Sequence, residues 1–205
     1  KYREAVDKLS GGRESVTKFV FLGRALRACR RYEEAIEAFE MALKQKGDLL
    51  KVTLEKAETQ TQAGKLDDAK KTLKTLSNFE NVSASYHYQQ GRVQEAMGCY
   101  TAAEEQYKAA LGLEPRNCAA MFRLAYLSDL LGSDEQAIEY YKQITAESPV
   151  YISALMNLAV LYEDAGDYDK ASKCVQMVLN SYPNHAKAIL FKKDIESAKT
   201  MVYDD

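Results

Sequence analysis

The chain has 205 residues with a formal net charge of −2, 28% charged and 46% hydrophobic, the makeup of an ordinary globular protein. Near-neutrality excludes the general pull toward nucleic acid or anionic membrane that a strongly basic chain carries, and no apolar run approaches the roughly 20 residues a membrane span needs. The opening KYREAVDKLSGG has no apolar stretch of a signal peptide. Cys29, Cys99, Cys118 and Cys174 form no CxxC pair and His87 and His185 lie far apart, so neither disulfides nor a metal site is expected. Scattered cysteines of this kind suit small core positions in a reducing compartment, which predicts a cytoplasmic protein without cofactors.

Taken in order, residues 1–9 contain YREAVDKL, which resembles YEEAIEAF at Tyr32 to Phe39 and predicts the second helix of a hairpin whose first helix is missing. Ser10, Gly11 and Gly12 then make a short break, so residues 1–15 are a remnant helix and linker, as in a chain cut from something longer. From Val16 the sequence enters a constant frame. Ala35, Ala69, Ala103, Ala137 and Ala171 are each 34 residues apart, which sets repeats at 16–49, 50–83, 84–117, 118–151 and 152–185. In the last of them Leu155, Leu158, Ala159 and Tyr162 recur at helical spacing, Gly166 interrupts, and Tyr168, Ala171, Val175 and Val178 begin a second stripe that Pro183 stops. Each repeat is therefore a helical hairpin.

Other residue types keep the same phase. Position eight is small in every repeat (Gly23, Ala57, Gly91, Ala125, Ala159), as is position twenty, where the helices of a hairpin are expected to cross closely. Position fifteen is Gly64, Gly98, Gly132 and Gly166, with Arg30 the exception, as suits a residue past a helix end that needs positive φ. Pro115, Pro149 and Pro183 all occupy position thirty-two, where the second helix must end. Residues 186–200 form one more helix, whose Lys187, Lys192, Lys193, Asp194, Glu196 and Lys199 supply a polar outer face. Together with the polar MVYDD end, residues 186–205 are a capping helix and tail.

The pattern of Leu at seven, Gly or Ala at eight, Tyr at eleven, Ala at twenty, an aromatic at twenty-four and Pro at thirty-two resembles the tetratricopeptide repeat. Repeats one, four and five match best. The resemblance implies an all-α, right-handed α-solenoid of five 34-residue hairpins. Repeats two and three depart from it, with Thr53, Lys56, Gln60, Gln90 and Gln94 at positions the family makes apolar. Their first helices are expected to be the softest part of the array, because buried polar groups without partners cost about 1 to 3 kcal/mol each.

In the family, positions two, five, six, nine and twelve of the first helix face a concave groove. Here positions five, six and nine give Tyr88, Gln89 and Arg92, then Phe122, Arg123 and Tyr126, then Met156, Asn157 and Val160. An aromatic and apolar strip bordered by arginines is the composition of an interaction hot spot. The alternative reading is that Phe122, Tyr126 and Met156 pack between repeats. The lysine and asparagine pairs with which some family members grip a C-terminal carboxylate are absent; Asn157 matches an asparagine with which others hold a peptide backbone.

No phosphate loop, GxSxG or HExxH occurs and two histidines are few for acid–base chemistry, so no enzyme is expected. The first 31 residues carry nine Lys or Arg against three Asp or Glu, read as a solvated basic edge or as a surface for an acidic partner. Nucleic acid is not expected through this chain. The function expected is a scaffold that binds a protein or peptide segment in the groove of repeats three to five. A structural alternative is self-association through Leu9, Val16, Phe19, Leu190 and Phe191. A further alternative comes from residues 190–205, which resemble the junction in large bacterial proteins between a tetratricopeptide array and a domain similar to the RNA polymerase alpha C-terminal domain. It implies a transcription-linked protein whose DNA-contacting part this chain lacks.

Overall fold

The computed structural model describes residues 2–11, 14–79 and 83–203, with the side chains of 10 and 201–203 left aside. Gly12 of the expected break and the last two residues of the tail lie outside them. Among the described residues there is no strand. The helices form two compact units, Lys1–Pro115 and Arg116–Asp205. The first contains α1 (Tyr2–Ser10), α2 (Val16–Ala28), α3 (Tyr32–Lys44), α4 (Leu49–Gln62), α5 (Leu66–Lys74), a 3-10 turn (Ser77–Phe79), α6 (Ala84–Ala96) and α7 (Tyr100–Leu113). The second contains α8 (Cys118–Leu130), α9 (Asp134–Lys142), α10 (Tyr151–Asp164), α11 (Tyr168–Ser181) and α12 (Ala186–Tyr203). The fold is all-α and built of helical hairpins, as the period predicts.

Each hairpin turns in the same way. The position-sixteen N–H donates to the position-eleven carbonyl in all five turns, from Arg31 to Leu26, Lys65 to Gln60, Cys99 to Gln94, Ser133 to Ser128 and Asp167 to Tyr162. This closure requires a left-handed residue at position fifteen, where the four glycines have φ between 73° and 77° and Arg30 has φ 61°. Helix starts are fixed by side-chain acceptors: Ser15, Asp48, Ser83 and Asn117 cap α2, α4, α6 and α8, and His185 Nδ1 accepts from the N–H of Ala188 at 3.1 Å to cap α12.

All five position-twenty alanines are fully buried. The small residue at position eight makes room for the other helix of its hairpin, and in repeats one and three what it admits is the side chain at position twenty-four. A methyl built on Gly23 would lie 2.8 Å from the Phe39 ring, and one on Gly91 2.6 Å from the Tyr107 ring. The rings thus lie directly on the first-helix backbone, and both are completely buried. Along the stack, positions three and ten of α4, α6, α10 and α12 close on the preceding hairpin. They are Val52 and Thr59, Tyr86 and Val93, Ala154 and Leu161, Ala188 and Ile195, all buried. So α12 keeps the frame of a first helix, with no second helix paired to it among the described residues. Val6 of α1 joins the core of Phe19, Leu26, Ala38 and Phe39.

The structure departs from several expectations. Of the cysteines only Cys174 is buried; Cys29 and Cys118 are half-buried and Cys99 is exposed. Phe19 lies in the core and Val16 is half-buried against it, so neither offers a free apolar end, whereas Leu190 is 61% exposed. The second helix does not always run to the proline position: α9 ends at Lys142 and α5 at Lys74, each only 9 residues long. After α5 the volume is closed by buried Leu76 and half-buried Phe79. Repeat four has Glu147 at the position of Phe79.

The polar residues of repeats two and three fare unequally. Lys56 Nζ meets Glu40 at 2.7 Å and Gln90 Nε2 donates to the Tyr86 hydroxyl at 2.9 Å. Thr53 and Gln60 are 3% and 5% exposed, and Thr53 Oγ1 and Gln60 Oε1 have no hydrogen-bond partner. Thr53→Val and Gln60→Leu should therefore each stabilise by about 1 kcal/mol in denaturant unfolding. Hydrogen exchange should find α4 less protected than α10; the reverse order would refute the soft segment. Arg30→Gly should add roughly 1 kcal/mol by relieving the left-handed arginine, whereas Gly91→Ala should cost about 1 to 3 kcal/mol by pushing the Tyr107 ring.

Candidate peptide-binding faces

Which side of a first helix is open follows from what the other sides do. In α8 and α10, positions four, seven, eight and eleven (Met121, Leu124, Ala125 and Ser128; Leu155, Leu158, Ala159 and Tyr162) are buried, and so are positions three and ten. In the middle of each helix positions five, six and nine remain, three side chains on the first helix of each of two consecutive hairpins. Phe122 and Met156 are half-buried, while Tyr126 and Val160 are 39% and 43% exposed. Phe122 spends one side of its ring on Tyr141, edge-on with centroids 5.6 Å apart. Packing therefore claims part of Phe122 and Met156 but leaves Tyr126 and Val160 facing water.

The polar members of this face are held in place. The Arg123 guanidinium lies 5.3 Å above the Tyr126 ring, a cation–π contact that keeps a fork of donors beside an exposed aromatic. Asn157 Nδ2 donates to the Tyr141 hydroxyl at 2.8 Å, and its Oδ1 is an acceptor only. Tyr141 is almost wholly buried, and that burial pushes its pKa up to about 12, with the Asn157 bond acting in the opposite direction. Asp129, at position twelve of α8, has its carboxyl pKa raised by burial and by the charges of Asp134 and Asp164.

In the first unit α6 carries Tyr88, Gln89 and Arg92. The Tyr88 ring tilts against Tyr107 with centroids 5.8 Å apart, and Arg92 Nη1 approaches the Tyr88 hydroxyl at 3.5 Å. Gln89 Oε1 is buried without a hydrogen-bond partner. The corresponding positions of α2 and α4 are occupied by an ion-pair network that sequence reasoning missed. Arg27 pairs with Glu55 at 2.7 Å and with Glu58 at 2.8 Å, and Arg24 pairs with Glu55. Arg24, Arg27, Glu55 and Glu58 stand at positions nine, twelve, six and nine of the same frame. Opposite charges on consecutive repeats were the available signal.

Among the described residues no group of His, Cys, Asp or Glu could hold a metal ion, and no helix is long and apolar enough to cross a membrane. Two outcomes follow. Arg27 and Glu55 are each 16% exposed and joined by hydrogen bonds, so Glu55→Ala should destabilise by about 1.5 to 3 kcal/mol, clearly more than Glu34→Ala at the exposed Arg31–Glu34 pair. Because the folded-state pKa of Tyr141 is raised, its stabilisation is complete below the ordinary tyrosine value near 10 and is lost as pH rises through about 12. Burial raises Tyr107 further still, so absorbance titration should find two late-ionising tyrosines, and the earlier of the two should disappear in Tyr141→Phe.

Two tetratricopeptide repeat models match the chain, one over residues 26–93 and 132–193 and the other over 84–152. Among curated proteins nothing matches. Solved structures that it resembles include TTC0263, a thermophilic TPR protein of Thermus thermophilus, at 23% identity and TM-score 0.71, covering 88% of this chain and 98% of that one. MamA is similar at 25% identity and TM-score 0.60, covering 84% and 94%. YrrB, described as a TPR protein with an unusual peptide-binding site, is similar at 17% identity and TM-score 0.59, covering 94% and 97%. With the repeat frame, the five identical turns and these matches together, the chain belongs to the tetratricopeptide repeat family.

Proposed function

We propose that this chain is a non-enzymatic cytoplasmic scaffold that captures a peptide segment of another protein on the face of Phe122, Arg123, Tyr126, Met156, Asn157 and Val160. The observation that carries this reading is the pairing of exposed Tyr126 and Val160 with an arginine fixed over the tyrosine ring. The ligand is an extended or short helical segment with bulky apolar side chains and a carboxylate for Arg123. Asn157 Oδ1 takes a backbone N–H. Tyr88, Gln89 and Arg92 on α6 are a second contact set of the same composition. Tetratricopeptide repeats are scaffolds for protein partners, and YrrB supports peptide capture as a use of such a fold.

A display-library selection on the chain tests this. Peptides rich in aromatic or aliphatic residues with a nearby acid should be selected. Binding should weaken at least about tenfold on Tyr126→Ala or Arg123→Ala, the loss expected of hot-spot side chains. Binding that survives Phe122→Ala, Arg123→Ala and Tyr126→Ala together sinks the proposal.

A second reading is self-association through α12. Ile189 and Leu190 are 37% and 61% exposed on a helix that has no second helix beside it among the described residues. Light scattering decides it: a dimer that Leu190→Asp dissociates favours self-association, and a concentration-independent monomer excludes it.

A further inference from the structure

The early end of α9 leaves a cleft of about 380 Å³ between α9, α10 and α11, on the opposite side of α10 from the peptide face. Its wall includes Ile144, Tyr151, Leu155, Leu158, Tyr162 and Met177. The residues that follow α9 form short turns, from Gln143 N–H to the Tyr140 carbonyl and from Ser148 N–H to the Thr145 carbonyl, which carry Ala146 past the opening without filling it. The charged residues lining the cleft are Lys142, Lys170 and Lys173, with no acid among its lining. Lys170 is tied to Asp167 and lies 5.3 Å above the Tyr162 ring, whereas Lys142 and Lys173 make no salt bridge among the described residues.

We propose that this cleft is a binding site for a small anionic amphiphile, a carboxylate with an aliphatic body of about ten carbons. The apolar floor takes the chain and Lys142 and Lys173 take the head group. An aliphatic body is favoured because the walls are mainly aliphatic and aromatic, and one anionic head because the charged side chains of the lining are all lysines, of which, among the described residues, Lys170 alone is ion-paired, to Asp167. At about 30 Å³ for each water-sized body, the volume holds roughly a dozen non-hydrogen atoms, the size of decanoate. None of the proposed peptide-face residues lines this cleft, and Tyr141 is the lining residue that also touches that face, through Phe122 and Asn157.

The test is a titration of the full chain with decanoate, and separately with decyltrimethylammonium, followed by methyl NMR. Decanoate should shift the methyl signals of Ile144, Leu155, Leu158 and Met177 saturably. The charge-reversed pair Lys142→Glu with Lys173→Glu should weaken decanoate about tenfold, as expected for two exposed charges beside an anion. Ala146→Trp, at an exposed position on the lining, should block it. Absence of a saturable shift, equal binding of the cationic chain, indifference to the lysine changes, or shifts confined to Met156 and Val160 would each overturn the proposal.

Discussion

The contact on which the rest depends is that between a first-helix backbone and the side chain sixteen residues further on. In repeats one and three a glycine at position eight lets the rings of Phe39 and Tyr107 press against α2 and α6. Burying such a ring is worth about 1.5 to 3 kcal/mol, and its close approach fixes how the two helices of a hairpin meet. Repeats two and five pair an alanine with a smaller side chain, Ala57 with Leu73 and Ala159 with Val175. Repeat four joins Ala125 to Tyr141, whose ring leans edge-on against Phe122. Once that contact sets the hairpin, positions four, seven and eleven turn inward, three and ten meet the preceding hairpin within each unit, and on α8 and α10 positions five, six and nine are left outside the core.

The same open positions are used differently along the chain. On α2 and α4 they are consumed by Arg24, Arg27, Glu55 and Glu58, which neutralise one another. On α8 and α10 they carry aromatic and aliphatic side chains, and Tyr126 and Val160 keep much of their surface in water. Unsatisfied Thr53 Oγ1 and Gln60 Oε1 lie on the inward sides of α4, so ion pairing at its surface is accompanied by a weaker interior.

Much of this was legible in the sequence because a fixed period reports on geometry at every repeat at once. The glycine row at position fifteen required a left-handed residue, and even its exception, Arg30, takes that conformation. The open-face residues Tyr126 and Val160 were likewise readable, since their exposure depends only on phase. Features that depend on pairing between positions were not. Nothing in the spacing says that Asn157 is held by Tyr141, or that Arg27 bridges two glutamates, because each needs the relative height of two helices. The short α9 was hidden for another reason: Pro149 marked a permissible end, while the helix stops earlier, at Lys142. The cleft beside it follows from that difference, with Glu147 standing where repeat two has Phe79.

The most direct measurement is a double-mutant cycle at Gly23 and Phe39, read by denaturant unfolding. Gly23→Ala alone and Phe39→Leu alone should each destabilise, the first by overpacking and the second by underpacking. Combined, they reproduce the Ala57–Leu73 pair of repeat two, and the double variant should be more stable than the sum of the single losses by at least about 1 kcal/mol. Strict additivity would mean that the ring and the helix backbone do not constrain each other, and would contradict the claim that this contact sets the hairpin and, through it, the exposed face.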